Sequence, residues 1–145
     1  MIRIEEMTTE EIKRLLARVG YGHLGCARNN RPYVVPIQYA YSEPNIYIFT
    51  TEGLKTQIIE TNPEVCLQVE EVHDKRHWRS VIVQGRLARL ANDSDRAFAM
   101  TFITGTNPAL TPALHEKWVG PWTRENVAAI YRLHPDSMSG RKSAE

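Results

Sequence analysis

The sequence has no long apolar run and almost no net charge, and each absence excludes a class of protein. No apolar stretch approaches the ~20 residues that a helix needs to span a bilayer. The 18 basic and 17 acidic residues leave a formal net charge of +1, which offers no global attraction to nucleic acid or anionic membranes. Residues 1–11 alternate charged and apolar side chains, unlike a signal or transit peptide. We therefore expect a cytoplasmic protein that binds neither membrane nor nucleic acid.

Cysteine is also scarce, which argues against a disulfide-stabilised fold. The two cysteines, Cys26 and Cys66, lie in apolar, strand-like runs, so we expect two reduced, buried thiols. A chain of 145 residues suits one domain with one core, and no repeat or linker divides it. We expect a single domain over residues 1–145, with the polar residues 137–145 as a loose tail.

The spacing of apolar residues predicts one helix followed by strands. Thr8 and Glu11 have capping-box spacing, apolar residues recur at helical intervals from Ile12 to Val19, and Gly20 can end the helix. Six segments then have the composition of strands: residues 21–27, 32–41, 46–50, 65–72, 78–90 and 127–133. Short helices are predicted at 53–60 and, capped by Asp93, at 94–104, and residues 105–123 are irregular.

This order of elements predicts a mainly β protein with α-helices, built as a six-stranded antiparallel barrel with flanking helices. Pro36 falls inside a strand, where it removes a ladder donor, so its position should be an edge or a bulge. Gly85 lies inside the long fifth strand and marks a second bulge, where a small barrel bends.

The stretch 46–55 has the features of an anion site. A strand ends in Thr50 and Thr51, and Gly53 and Lys55 follow at the start of a helix. Unpaired N–H groups at a helix N-terminus attract an anion, and hydroxyls and an ammonium group strengthen the attraction. The pattern indicates a phosphate site, although an ordinary helix cap with a surface lysine has the same composition.

Two weaker features fit the same hypothesis. Residues 32–38, around Pro36, would leave backbone groups free for a flat heterocycle, or would simply form a barrel edge without a ligand. Arg79 and Ser80 could bind a phosphate, or could be solvated side chains.

The chain is short of acid–base chemistry. We find no ordered Ser-His-Asp or Cys-His set and no carboxylate pair, and we predict no catalytic residue. His73 and His77 flank a turn and lack a third ligand in suitable spacing, so we predict no metal site. A chain with so few catalytic groups favours a cofactor that brings its own reactivity.

Several short motifs recur in an order that resembles a known family. They are LGCA at 24–27, PYVVP at 32–36, IYIFT at 46–50, GLK at 53–55, NPEV at 62–65 and SVIVQG at 80–85. Together they resemble the FMN-binding split-barrel superfamily named after pyridoxamine 5'-phosphate oxidase, in its small nitroimidazole-resistance-like branch. The resemblance implies a six-stranded split barrel and a homodimer with FMN at its interface.

The same resemblance implies which residues hold the cofactor, with Lys55 on its phosphate. The cofactor-binding residues would be Tyr33, Val34, Val35, Pro36, Gln38, Ile48, Phe49, Thr50, Leu54, Lys55, Arg79 and Ser80. The chain differs from the oxidase in having Tyr33 for an arginine, Gln38 for a lysine and Ser80 for a glutamine, which argues against pyridoxamine phosphate oxidation.

Two further differences concern aromatic and histidine positions. Members of the nitroimidazole-resistance branch often carry a histidine near the end of the third strand, where this chain has Ile48 and Phe49. Nitroreduction through such a histidine is therefore not supported. Trp118 and Trp122 are candidates for stacking on the flavin.

We therefore predict an FMN-dependent oxidoreductase that acts on a small organic substrate. The alternative is a flavin, haem or deazaflavin carrier without turnover, in which His23, His73 or His77 could bind haem iron. A third hypothesis is a dimerisation module that has lost its cofactor.

Overall fold

The computed structural model describes residues 2–102 and 129–144, which form seven strands and three helices. They follow in the order β1 (Arg3–Glu6), α1 (Thr9–Val19), β2 (Tyr21–Arg28), β3 (Arg31–Ser42), β4 (Asn45–Thr50), α2 (Leu54–Thr61), β5 (Glu64–Asp74), β6 (His77–Arg89), α3 (Asp93–Met100) and β7 (Ala129–Ala144). Residues 105–123, with Trp118 and Trp122, lie outside the described residues.

The strands form one antiparallel sheet that closes on itself. Their order is β1-β7-β4-β3-β2-β5-β6, and β6 also pairs with β7. Strands β2 to β7 therefore make a six-stranded barrel, and β1 adds a seventh strand beside the end of β7. The predicted mainly β split barrel with flanking helices is confirmed, with one more strand than predicted.

Local sequence signals explain how α1 closes one end of this barrel. The Thr8 hydroxyl accepts the Glu11 N–H, and the Glu11 carboxylate accepts the Thr8 N–H at 3.0 Å, so the predicted capping box is present. Gly20 ends the helix in the left-handed conformation at φ 88°. The apolar stripe of α1, from Ile12 to Val19, is buried against the barrel core.

The β2–β3 hairpin turns on two asparagines. Asn29 and Asn30 have φ of 54° and 62°, the left-handed region that asparagine tolerates and that a tight primed turn requires. Strand β3 pairs with β2 from Arg31 to Gln38 but with β4 only from Gln38 onward. Pro36 therefore lies where β3 is an edge, as its sequence predicts.

Gly85 marks the predicted bulge in β6. The register between β6 and β7 shifts between Gln84 and Gly85, where the strands approach closely. A Cβ at Gly85 would lie 2.3 Å from the carbonyl oxygen of His134, so only glycine fits there.

Two predictions, about the C-terminal tail and the cap of the third helix, are wrong, and one strand was not predicted. Residues 3–6 form β1, and residues 137–144, expected as a loose tail, continue β7 and pair with β6 and β1. The last strand therefore continues well beyond residue 133, where its end was expected. The sequence of the tail lacks the apolar alternation of a strand, because Gly140 occupies an inward position. The missing side chain at Gly140 leaves room for Met7 against the strand. Asn92, rather than Asp93, caps α3 by accepting the Asp95 N–H.

Two apolar clusters hold the fold together. The larger fills the barrel interior under α1 and α2. The smaller lies on the outer face, where Tyr47, Phe49 and Ile130 pack with Ala99 of α3. None of the described helices is long and apolar enough to cross a membrane.

Candidate functional site

The candidate site is a gap in the sheet. Among the described residues, strand β3 has no partner on its β4 side before Gln38, and β4 itself ends at Thr50. The chain then crosses the opening and enters α2 at Leu54. The site is therefore bounded by the unpaired edge of β3, the end of β4 and the first turn of α2.

The first turn of α2 is open to an anion. No side chain in the described part of the chain caps its N-terminus, and the Thr56 hydroxyl instead accepts the Gly53 N–H and donates to the Gly53 carbonyl. First-turn N–H groups have no acceptor within their own helix, and the helix dipole places partial positive charge there. The sequence-based prediction of an anion-attracting helix start is consistent with this geometry.

Lys55 adds a positive charge that the described residues do not neutralise. Its side chain is half-buried and forms no ion pair or hydrogen bond within residues 2–102 and 129–144. Burial lowers the pKa of Lys55 below its ordinary value, while Cys26 and Glu52 nearby oppose that shift. Glu52 is itself paired with Arg89 at 2.8 Å. A half-buried ammonium group without a counter-ion is suited to binding an anion.

Gln38, the first residue of β3 that pairs with β4, presents a second unsatisfied group. Its side chain is 3% exposed, and its Oε1 has no hydrogen-bond partner among the described residues. Tyr21 and Phe49 oppose Gln38 on the two neighbouring strands. A buried carbonyl oxygen without a donor costs free energy, so a ligand N–H here would be stabilising.

Other predicted residues divide between the two faces of the barrel. Val34 and Pro36 are exposed on the outer face, whereas Tyr33 and Val35 pack against the interior cluster. Leu54 is 45% exposed at the start of α2.

The end of β4 is less open than the sequence suggests. Ile48 is fully buried in the barrel interior, and Phe49 is fully buried in the outer cluster beneath α3. Thr50 is also buried, and its hydroxyl donates to the Thr51 carbonyl at 3.4 Å. These side chains shape the wall of the gap rather than line an open surface.

A single chain does not bring Arg79 and Ser80 to Lys55. Lys55 lies near Cys26 at the α2 end of the barrel, where Gly25 pairs with Cys66 of β5. Arg79 instead opposes Glu71, at the end that α1 covers. Five residues of β5 separate these two levels, or about 16 Å along the strand. Lys55 and Arg79 of the same chain therefore lie too far apart to hold one phosphate, and their joint binding of a phosphate stays a prediction for a site that two chains share.

A polar network on the outer face was missed. The Gln68 amide nitrogen lies 3.1 Å from the Ser80 hydroxyl and 3.3 Å from Glu70, and its oxygen lies 3.1 Å from the His23 ring. His23 opposes Pro36 on the neighbouring strand. The polar positions of β5 alternate in sequence, but only the register between strands shows that they meet His23.

Two further histidines pair with nearby carboxylates. His77 lies 2.8 Å from Asp74, and His73 lies 3.8 Å from Glu71. Within the described residues, no group of three or more histidine, cysteine or acidic side chains could hold a metal ion. Both cysteines are free, with Cys26 buried and Cys66 half-buried.

Solved structures share this fold over the whole chain. A FAD-binding protein from Mesorhizobium loti superimposes with a TM-score of 0.79 at 28% identity, covering 100% of both chains. A FAD-binding protein from Mycobacterium smegmatis gives 0.68 at 21% identity, covering 96% of this chain and 98% of that one. A flavocytochrome from Azotobacter vinelandii gives 0.70 at 21% identity, covering 99% of this chain and 70% of that one.

Sequence comparison identifies the family. An uncharacterized protein of Rhizobium meliloti is 38% identical over 87 residues, which span 60% of this chain and 58% of that protein. The family model described as pyridoxamine 5'-phosphate oxidase matches residues 8–142. The chain therefore belongs to the pyridoxamine 5'-phosphate oxidase family of split-barrel proteins.

Proposed function

We propose that the chain binds FMN in the gap between β3 and α2 and acts as an oxidoreductase on a small organic substrate. One observation carries the proposal: Lys55 holds a half-buried charge that no described residue neutralises, beside the start of α2. A phosphate there would receive backbone N–H groups and a charge-assisted hydrogen bond. The similarity to FAD-binding proteins supports a flavin as the ligand that carries this phosphate.

The unpaired edge of β3 fits the flavin ring. Its free backbone groups can bond to polar ring atoms, and the buried Gln38 oxygen can accept a ring N–H. A bound flavin supplies hydride or electron transfer through its N5 atom. The protein's part is to orient the ring, since no described side chain at the gap is suited to acid–base catalysis.

A second copy of the chain would complete the site, so we include a homodimer in the proposal. The outer face of the barrel exposes Val34, 63% accessible, and Ile82, 42% accessible. Cys66 lies between them, in a groove that also includes Val34. A symmetric partner would cover this apolar surface and could bring its own Arg79 and Ser80 to the gap.

The first experiment is an absorption spectrum of the purified protein, followed by titration with FMN. We expect twin flavin bands, or FMN uptake that weakens on the order of 10- to 100-fold in Lys55→Ala, because a charged phosphate contact is lost. Lys75→Ala is the matched control, since Lys75 is exposed in the turn between β5 and β6. A colourless protein that ignores FMN would refute the proposal, and a Soret band would favour the haem alternative instead.

A light-scattering measurement tests the dimer separately. We expect a dimer, and we expect Val34→Asp to yield a monomer because it places a charge in the apolar groove. If the parent protein is a monomer and still binds FMN, or if monomeric Val34→Asp binds FMN as tightly as the parent dimer, the shared site is contradicted while flavin binding stands.

A further inference from the structure

A cavity of 660 Å³ lies beside the Lys55 site, under the tip of the β2–β3 hairpin. Arg28, Arg31 and Tyr33 line it from the hairpin, and Leu54 and Ile58 line it from α2. Its volume falls within the ~300–1,000 Å³ range of small-molecule sites.

Two arginines give this cavity its charge. Arg28 and Arg31 oppose each other directly on β2 and β3, next to the tight turn at Asn29 and Asn30. Arg28 is half-buried, yet neither guanidinium forms an ion pair or hydrogen bond with the described residues. No acidic residue from the described part of the chain lines the cavity. Two neighbouring, unpaired guanidinium groups repel each other, and an anion between them would relieve that repulsion.

The cavity continues the site already described. Leu54 precedes Lys55, and Ile58 follows it by one helical turn, so the lining of the cavity brackets Lys55 on α2. On the opposite wall, Tyr33 pairs in register with Cys26. The Lys55 charge is close enough to Cys26 to lower the pKa of its thiol, against the larger effect of burial. A ligand held by its phosphate at Lys55 can therefore extend into the cavity without leaving the protein surface.

We propose that Arg28 and Arg31 form a second phosphate-binding subsite, which takes the nucleotide half of a flavin dinucleotide. The inference rests on the proposed flavin function and refines its cofactor. FMN ends at the phosphate that Lys55 would hold, whereas FAD adds a second phosphate and an adenosine. The planar fork of arginine matches phosphate oxygens, and the half-exposed Tyr33 ring offers a surface on which adenine stacks.

The test compares flavins that differ only beyond the first phosphate. Cofactor-free full-length protein is titrated with FMN and with FAD, and binding is followed by calorimetry and flavin fluorescence at fixed ionic strength. We expect FAD to bind on the order of tenfold more tightly than FMN. Arg28→Ala and Arg31→Ala should each remove most of this difference while leaving FMN affinity unchanged.

Two controls separate this effect from misfolding and from general charge. Arg14→Ala removes an exposed arginine from α1, at the other end of the barrel, and should leave both affinities unchanged. Arg28→Lys keeps the charge without the planar fork and should retain part of the FAD preference. A thermal melt of each variant confirms that it folds.

The outcomes distinguish failure of the subsite from failure of flavin binding. If the protein binds neither flavin, the proposed function fails. If FMN binds but FAD has no advantage, or if the arginine variants weaken both flavins equally, the dinucleotide subsite is refuted. Titration of the FMN-loaded protein with AMP tests whether the two arginines bind the phosphate of a separate nucleotide instead. AMP binding that disappears in Arg28→Ala, without any FAD preference, assigns the arginines to a separate nucleotide.

Discussion

Nδ1 of His23 lies 3.1 Å from Oε1 of Gln68, and this contact determines which ring nitrogen of His23 carries the proton. The Gln68 amide nitrogen donates to a carboxylate oxygen of Glu70, which is a hydrogen-bond acceptor. The amide oxygen of Gln68 must therefore face His23 and accept from it. Neutral His23 then holds its proton on Nδ1 and leaves Nε2 unprotonated, on the same face of the sheet as Pro36.

We predict that Gln68→Leu lets the His23 proton distribute between Nδ1 and Nε2. The ring nitrogens of His23 give distinct ¹⁵N signals in the two tautomers, and comparison with His23→Gln assigns them among the five histidines. In the parent protein at alkaline pH we expect the Nδ1–H form, and in Gln68→Leu a mixture of both forms. The variant should also lose about 0.5–1.5 kcal/mol of stability, the usual value of one hydrogen bond. An unchanged spectrum would show that the contact does not set the tautomer.

Lys55 predicts how flavin binding depends on alkaline pH. Burial lowers the pKa of Lys55 below its ordinary value of 10.5, and a bound phosphate would favour the charged form and raise it again. Binding above the lowered pKa therefore requires proton uptake. Above the second ionisation of the phosphate, near pH ~6, we expect FMN affinity to stay constant at first. The affinity should then fall as the pH rises through the pKa that Lys55 has in the flavin-free protein.

Lys55→Arg is the control for this pH dependence. A guanidinium stays charged at alkaline pH, so the variant should lose the part of the decline that Lys55 causes and keep any part due to the flavin itself. FMN titrations at pH values from 7 upward measure both curves. Parallel curves for the two proteins would mean that Lys55 does not carry the phosphate.

The sequence predicts the fold well where local signals are strong. The capping box at Thr8, the hairpin asparagines and the bulge at Gly85 each follow from conformations that few residues adopt, and each is present. The C-terminal part of β7 was not predicted because its pairing is long-range. Its residues show no apolar alternation, since Gly140 takes the inward position beneath Met7.

The candidate site was only partly predictable for the same reason. Gly53 and Lys55 are close in sequence, so their convergence on one helix start follows from spacing alone. The separation of Arg79 from Lys55 depends on the direction in which β5 and β6 run, and the His23 network depends on register. Neither relationship leaves a trace in the linear sequence.

Gly85 should be among the least replaceable residues of the barrel. A Cβ there would lie 2.3 Å from a backbone oxygen, which cannot move aside as a side chain can. We predict that Gly85→Ala lowers the free energy of unfolding by about 3 kcal/mol or more, at the upper end for overpacking. Gln84→Ala changes an exposed neighbour in the same strand and should shift stability by less than ~0.5 kcal/mol. Urea unfolding of both variants measures the difference, and equal stabilities would contradict the close approach of β6 and β7.

The contact between Glu11 and Lys142 should make the docking of the C-terminal strand sensitive to acid. A hydrogen bond from Lys142, followed by one from the Thr8 backbone, lowers the pKa of Glu11 from 4.5 to about 2. Because the folded pKa is the lower one, the stabilisation is complete above pH 4.5 and disappears as the pH falls toward 2. We predict that Glu11→Gln lowers the melting temperature at pH 7 by on the order of a few degrees, and that the difference closes between these limits. Lys142→Met should reproduce most of the loss, whereas Glu10→Gln, at an exposed neighbouring position, should not. Thermal melts at low salt across this range decide the matter, since a difference that persists unchanged at pH 2 would mean that the carboxylate charge contributes nothing.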